Sequence, residues 1–321
     1  MPTSSYMKKW VLGGVSLLHT LSRGIQVVAP QGKPIYPYGN CLYIEDDRPT
    51  VIDLGAGGTA FAAIPCAQVR LALISHFHFD HLHGDSFFPQ ADFMAGREES
   101  PTYSDPAAYL NFHGYDQWEI MMPGQPREAY GSVIPLPEDV PVQPGFRPVP
   151  LVGTFKDGEQ ISIGRRVLSA IHLPGHTAGH YGFFLEHEGI LFSGDIDLVA
   201  TGPWYSSNSA DVGDLIASVN RIKEINPGVI VPSHRRVQTE DLSGQLGRYI
   251  QVVLDRQARI YDLLKIPHSL FQLGEYGLVF PERNNLYEVF WERMTIRNHL
   301  HYLLKTNAII EIEPGLYQQN I

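Results

Sequence analysis

Cysteine is nearly absent from this chain. Two occur in 321 residues, Cys41 and Cys66, and neither sits in a CxxC or similar ligand spacing. That excludes a disulfide framework and a thiolate metal site. A reducing cytoplasm is the expected compartment. Long apolar runs are missing too: no stretch approaches the ~18–20 apolar residues of a membrane span, so no membrane partner is expected. The early stretch "MKKWVLGGVSLLHTL" imitates a secretory leader, with lysines ahead of an apolar patch. The patch is short, His19 interrupts it and no small-residue cleavage site follows, so export is not expected. Positive charge is in deficit, with 24 Lys+Arg against 34 Asp+Glu and a formal net charge of −10. No global field draws in phosphate backbones, which favours a small-molecule substrate over nucleic acid.

What remains is ordinary globular material, 44% hydrophobic and 18% charged. The length predicts one large domain with an appendage, or two unequal domains. Short β-rich runs fill the chain: "IQVV" (25–28), "CLYIE" (41–45), "TVIDL" (50–54), "RLALIS" (70–75), "RVLSAI" (166–171), "YGFFL" (181–185), "GILFS" (189–193) and "GVIV" (228–231). Turn residues bound most of them. Val212, Leu215, Ile216, Val219, Ile222 and Ile225 recur at helical spacing until Pro227-Gly228 stops the pattern. Strands mixed with one-faced helices imply an α/β fold, sheets covered by helices.

Two regions read differently. Residues 86–158 are rich in Pro, Tyr, Phe and Met with little sustained period, as in a lid, a binding loop or a surface excursion. From residue 241 two long helical patterns are followed by "AIIEIEPGLYQQ", two strands around Pro-Gly. The expected division is a domain over 1–240, with 86–158 a loop-rich insertion, and a winged-helix-like unit over 241–321. That unit holds eight Lys/Arg and nine Asp/Glu, no basic face that demands phosphate.

The chemistry concentrates in "ISHFHFDHLHGD" (74–85). His76 and His78 are two apart just past a strand, so both leave on one side. Asp80 and His81 follow where the chain must turn. One segment then serves two adjacent metals, since imidazole and carboxylate are what first-row divalent ions favour. Three more candidates each follow an apolar run: His176 in "LPGHTAGH", Asp195 in "FSGDID" and His234 in "VPSH". Strand ends on one sheet edge are where α/β folds gather sites.

This pattern resembles the metallo-β-lactamase superfamily at five places: "VIDLGAG", "SHFHFDH", "LPGHTAGH", "FSGDID" and "VPSH". The resemblance implies an αββα sandwich with metals at one edge. It implies that His76, His78 and His176 hold one ion, that Asp80, His81 and His234 hold a second, and that Asp195 bridges. Two divalent ions are expected, zinc foremost, with Mn or Fe as alternatives. Two cations ~3.5–4 Å apart can share a hydroxide and polarise a scissile carbonyl or phosphoryl group. Asp80 has a second, catalytic task in this scheme, carrying a proton to the leaving group. Asp53 and His180 are expected to support the ligands by hydrogen bonds.

Within the superfamily, zinc β-lactamases of the best-known type place Cys where this chain has Asp195, so penicillin hydrolysis is not expected. The bridging Asp is shared with glyoxalase II, with N-acyl homoserine lactonases and with RNA-processing nucleases. The expectation is hydrolysis of a small ester, thioester or lactone. The alternative is a phosphodiesterase or endoribonuclease, and a third reading is a mononuclear iron persulfide dioxygenase. His83 stands where the family commonly has a small residue, and Tyr205 follows the bridging Asp where lactonase relatives often place a substrate contact. "PSHRR" replaces the commoner "PGHG", which makes Arg235 a candidate anion clamp beside a plain solvated reading. His83, Tyr205 and Arg235 are thus candidate substrate contacts. A homo-oligomer is compatible with all of this.

Overall fold

The computed structural model describes residues 17–320. Most of the leader-like stretch therefore lies outside the described residues. Its far end enters the first strand, β1 (Leu18–Ser22). Six more strands complete one sheet in simple order: β2 (Ile25–Val28), β3 (Cys41–Ile44), β4 (Thr50–Ile52), β5 (Leu71–Ile74), β6 (Asp92–Gly96) and β7 (Leu151–Phe155). The first four run antiparallel and the last four parallel. The second sheet has the order β12-β11-β10-β9-β8, from β8 (Gln160–Ser162), β9 (Val167–His172), β10 (Tyr181–Leu185), β11 (Ile190–Gly194) and β12 (Val229–Pro232). Each apolar run read from the sequence is one of these strands. The segment 86–158 is less irregular than its composition suggests, because β6 and β7 extend the first sheet.

The two sheets face each other. Leu42, Ile52, Leu71 and Leu73 pack on Leu168, Phe183, Phe192 and Val231 with no exposure. At roughly 25 cal/mol per Å2 of apolar surface, this interior is the main driving force for folding. The outer face of the first sheet is covered by α1 (Gly58–Phe61) and by Phe88. The outer face of the second is covered by α5 (Val212–Ile225), after α2 (Pro106–His113), α3 (Trp118–Met121) and α4 (Tyr130–Val133). Helix α5 begins where the Asp211 side chain accepts from the Asp214 amide, and it ends at left-handed Asn226. The result is the expected αββα sandwich.

The C-terminal region continues with α6 (Leu242–Leu263), β13 (His268–Ser269), α7 (Leu270–Gly274), α8 (Leu286–Lys305), β14 (Ile309–Glu313) and β15 (Leu316–Gln319). The three strands form a small sheet of order β13-β15-β14. Helix, strand, two helices and a hairpin is a winged-helix arrangement. It does not stand apart: Leu246, Tyr249, Ile250 and Val253 of α6 share a core with Leu191, Val219 and Ile230. Tyr287, Phe290 and Met294 of α8 pack on Trp118, Met121 and Met122. Among the described residues no helix is long and apolar enough to cross a membrane.

Candidate metal centre

The strand order brings the C-terminal ends of β4, β5, β11 and β12 to one edge. Asp53 follows β4, His76 to His81 follow β5, Asp195 follows β11 and His234 follows β12. His176 enters from the turn between β9 and β10. Asn40 ties the edges together: its amide donates to the carbonyls of Pro232 (2.9 Å) and Arg235 (2.8 Å). Gly55 is obligatory here, since a Cβ would sit 1.6 Å from the carbonyl oxygen of Asp80.

Two groups of ligating atoms form, His76–His78–His176–Asp195 and Asp80–His81–His234. In the first, His76 Nε2, His78 Nδ1 and His176 Nε2 make a triangle with edges of 3.0, 2.9 and 3.1 Å. Those edges approach the ~3.3 Å edge of a coordination tetrahedron built on metal–nitrogen distances of about 2.0–2.1 Å. In the second, His234 Nε2 lies 3.3 Å from Asp80 Oδ2, and His81 Nε2 lies 3.9 Å from Asp80 Oδ1. Asp195 faces both groups. Its Oδ2 is 3.3 Å from His176 Nε2, while its Oδ1 is 3.2 Å from His81 Nε2 and 3.3 Å from His234 Nε2.

The outer ring nitrogens fix the inner ones. Nδ1 of His176 donates to the Trp204 carbonyl (2.7 Å), and Nδ1 of His234 to the Tyr38 carbonyl (3.1 Å). Nδ1 of His81 lies 2.7 Å from Asp53 Oδ2. Ser75 Oγ gives its proton to the same Asp53 oxygen at 2.7 Å, so it accepts from His76 Nδ1 at 3.0 Å. With the outer nitrogens of His76 and His176 donating, their inner ones present lone pairs to each other, while the outer Nε2 of His78 has no partner among the described residues. His81 Nε2 and Asp195 Oδ1 are buried with no hydrogen-bond partner among the described residues. Converging lone pairs and stranded polar atoms cost stability unless a cation satisfies them, and the donor set fits divalent cations.

The electrostatics divides the cluster. Burial holds His76 and His78 well below the usual histidine range, and neighbouring rings push the same way. Burial also lowers His176. Burial alone would lower His81 and His234, but carboxylates outweigh it. Asp195, Asp53 and Asp80 hold His81 well above its ordinary value, and Asp195 lifts His234 to about 9. Burial would raise Asp195, yet His234, His81 and His176 hold it well below the carboxylate range.

The fold and the ligand edge together match one family. A family model described as the metallo-beta-lactamase superfamily covers residues 37–234. This chain belongs to the metallo-beta-lactamase superfamily. It is 31% identical to the beta-lactamase-like protein 2 homolog of Caenorhabditis elegans, over 39% of this chain and 41% of that protein. It is 30% identical to an acyl-coenzyme A thioesterase of Gallus gallus, over 48% of this chain and 51% of that protein. The chain thus spans about half the length of these relatives or less. The crystal structure of a metallo-beta-lactamase family protein from Thermus thermophilus superposes with a TM-score of 0.72 at 22% identity, covering 94% of this chain and 100% of that one. That likeness is one of fold.

Not every residue singled out in the sequence reaches the superfamily edge. His180 packs behind it: Nδ1 donates to the Leu173 carbonyl (2.9 Å) and Nε2 accepts from the Asp195 amide (2.9 Å). Gly194 must lack a side chain, since its φ is +55° and a Cβ would meet His180 Nε2 at 2.4 Å. Tyr205 is corrected outright. It is 1% exposed, and its hydroxyl is bound to His299 Nε2 (2.8 Å) and to Arg256, so it cannot reach a substrate. Arg235 is corrected too: its guanidinium bonds the Leu198 carbonyl and Gln245 Oε1, joining the Asp195 loop to α6. His83 is buried, with Nε2 3.1 Å from the Pro37 carbonyl.

Other residues escaped the sequence reading. Glu99 is fully buried between the histidine loops. It accepts from Thr177 Oγ1 (2.9 Å), Tyr103 Oη (3.1 Å) and the backbones of Phe77 and Gly179. Aromatic rings form a girdle that leaves the ligand segment and returns to it. Trp204 lies 5.1 Å from His78, Trp291 5.8 Å from Trp204, and Tyr130 5.4 Å from Trp291. Tyr36 lies 5.5 Å from Tyr130 and 6.1 Å from Phe79. Four separate segments meet there, so no local pattern announces them.

Proposed function

We propose that this protein is a metal-dependent hydrolase of a small ester or thioester with an apolar acyl group. The observation that carries the reading is Asp195, with one oxygen on each ligand group. His76, His78 and His176 would hold one divalent cation and Asp80, His81 and His234 a second, zinc being the ion best suited to five imidazoles and two carboxylates. Such ions supply Lewis acidity, which activates water and polarises an acyl oxygen. The chain's own groups do the rest. Asp53, Ser75 and the Trp204 and Tyr38 carbonyls orient the imidazoles. Asp80 would also take the proton of the attacking water and pass it to the leaving group. The Tyr36–Tyr130–Trp291–Trp204 girdle offers an apolar approach that suits an acyl chain and excludes bulk water.

The thioesterase name of the Gallus gallus relative supports the same direction. A nuclease reading finds less support. The second helix of a helix-turn-helix reads a groove, but α8 spends Tyr287, Phe290 and Met294 on internal packing. A one-iron dioxygenase has no need of a second ligand group such as Asp80, His81 and His234.

The test is a substrate panel on zinc-loaded protein: acyl-coenzyme A and S-acyl glutathione thioesters, lactones, bis-p-nitrophenyl phosphate and single-stranded RNA. Turnover of thioesters or esters that rises with acyl length is expected. Turnover of the phosphodiester or RNA alone would replace the reading by the nuclease one.

A further inference from the structure

One hydroxyl beside the cluster takes no part in the chemistry above. Tyr36 Oη is buried and has no hydrogen-bond partner among the described residues. A buried phenol normally finds a partner, and leaving one unpaired costs stability. The ring is held from two sides, edge-on by Tyr130 at 5.5 Å and tilted against Phe79 at 6.1 Å. The backbone around it is fastened to the ligand groups. Nδ1 of His234 lies 3.3 Å from the Pro34 carbonyl and 3.1 Å from the Tyr38 carbonyl, and His83 Nε2 lies 3.1 Å from the Pro37 carbonyl. Tyr36 packs on Phe79, the residue before Asp80, and carbonyls on either side of it are tied to His234, so it is not on a free loop.

We propose that Tyr36 is a catalytic residue of this site, its O–H donating a hydrogen bond to the substrate oxygen that gains negative charge as water adds. The proposal rests on the hydrolase reading above. The step balances as follows. The water oxygen bonds to the acyl carbon and the C=O π pair moves onto the acyl oxygen. The water proton goes to Asp80. Tyr36 keeps its own proton and stabilises the oxyanion. When the pair returns, the C–S or C–O bond breaks, and Asp80 delivers the proton to the leaving thiol or alcohol. A donor aimed at charge that develops only in the transition state raises kcat and leaves ground-state binding alone.

The experiment compares wild type with Tyr36→Phe, both zinc-loaded, on S-octanoyl coenzyme A and p-nitrophenyl octanoate. Phe keeps the ring contacts with Tyr130 and Phe79. A loss in kcat of about 100-fold is expected. KM should stay within about twofold, since ground-state binding is untouched. Zinc content and melting temperature should match wild type. An unchanged kcat in an active enzyme overturns the role of Tyr36 alone, as does a loss confined to KM or accompanied by lost zinc. A wild type inert towards both probes overturns the hydrolase reading itself and this role with it.

Discussion

Asp53 Oδ2 lies 2.7 Å from His81 Nδ1, and both residues are buried. The contact fixes which nitrogen of His81 faces Asp80 and Asp195. Asp53→Asn keeps the shape and removes the charge that makes His81 a better donor. Cation retention at the Asp80–His81–His234 group is expected to fall about 10- to 100-fold. Competition with a chelator measures it; a zinc titration identical to wild type would refute the role.

His78 supplies one corner of the nitrogen triangle. His78→Ala should lower bound metal from two ions per chain to one and bring turnover to background. Elemental analysis and the octanoyl thioester assay check the two halves separately. Full activity in this variant would place the active site elsewhere.

Glu99 couples the site's scaffold to pH. Burial raises its carboxyl to about 8 from an ordinary 4.5. The folded chain then holds a proton that the unfolded chain has released between those two values. Stability from this group is complete below pH ~4.5 and is lost as pH rises through ~8. Glu99→Gln cannot titrate, so its melting temperature should fall less steeply than wild type over that window. Parallel curves would show that Glu99 does not change protonation there. Glu99→Ala strands the Tyr103 and Thr177 hydroxyls and is expected to cost about 3 kcal/mol.

Trp291 reaches the girdle from α8, a helix in the C-terminal region. Trp291→Ala removes apolar surface that an acyl chain would cover. KM for an octanoyl thioester should rise about tenfold, while that for the acetyl analogue moves little. Equal effects on both chain lengths would remove Trp291 from the acyl path.

The C-terminal region also holds the site from behind. Asn298 of α8 donates to the carbonyls of Tyr205 and Ser207, each at 3.0 Å, and Ser206 Oγ lies 2.7 Å from Thr295 Oγ1. That loop carries the Trp204 carbonyl that orients His176. Asn298→Ala is expected to cost about 1–3 kcal/mol. Deleting residues 241–321 should leave an insoluble chain, because the apolar core shared with α6 opens. A soluble, cooperatively melting 1–240 fragment would contradict this.

Much of this molecule could be read from the chain alone. Short apolar runs bounded by turn residues and the periodic face of α5 are local features of the chain, so strands and helix could be placed by number. The ligand set was legible because each member ends an apolar run, and a strand end is a local feature. The surroundings of the ligands were not. Tyr205 looked like a substrate contact from its place after Asp195, but its hydroxyl turns to His299 and Arg256, which lie 94 and 51 positions away in sequence. Arg235 was likewise claimed by Leu198 and Gln245. Glu99, Tyr36 and Trp291 carry no local signal, since what matters about each is a partner from another segment or the absence of one. Sequence thus set which atoms could bind cations. Only tertiary packing decided which polar groups were satisfied and which were left facing the cluster, because burial and pairing belong to the whole fold and not to any stretch of it.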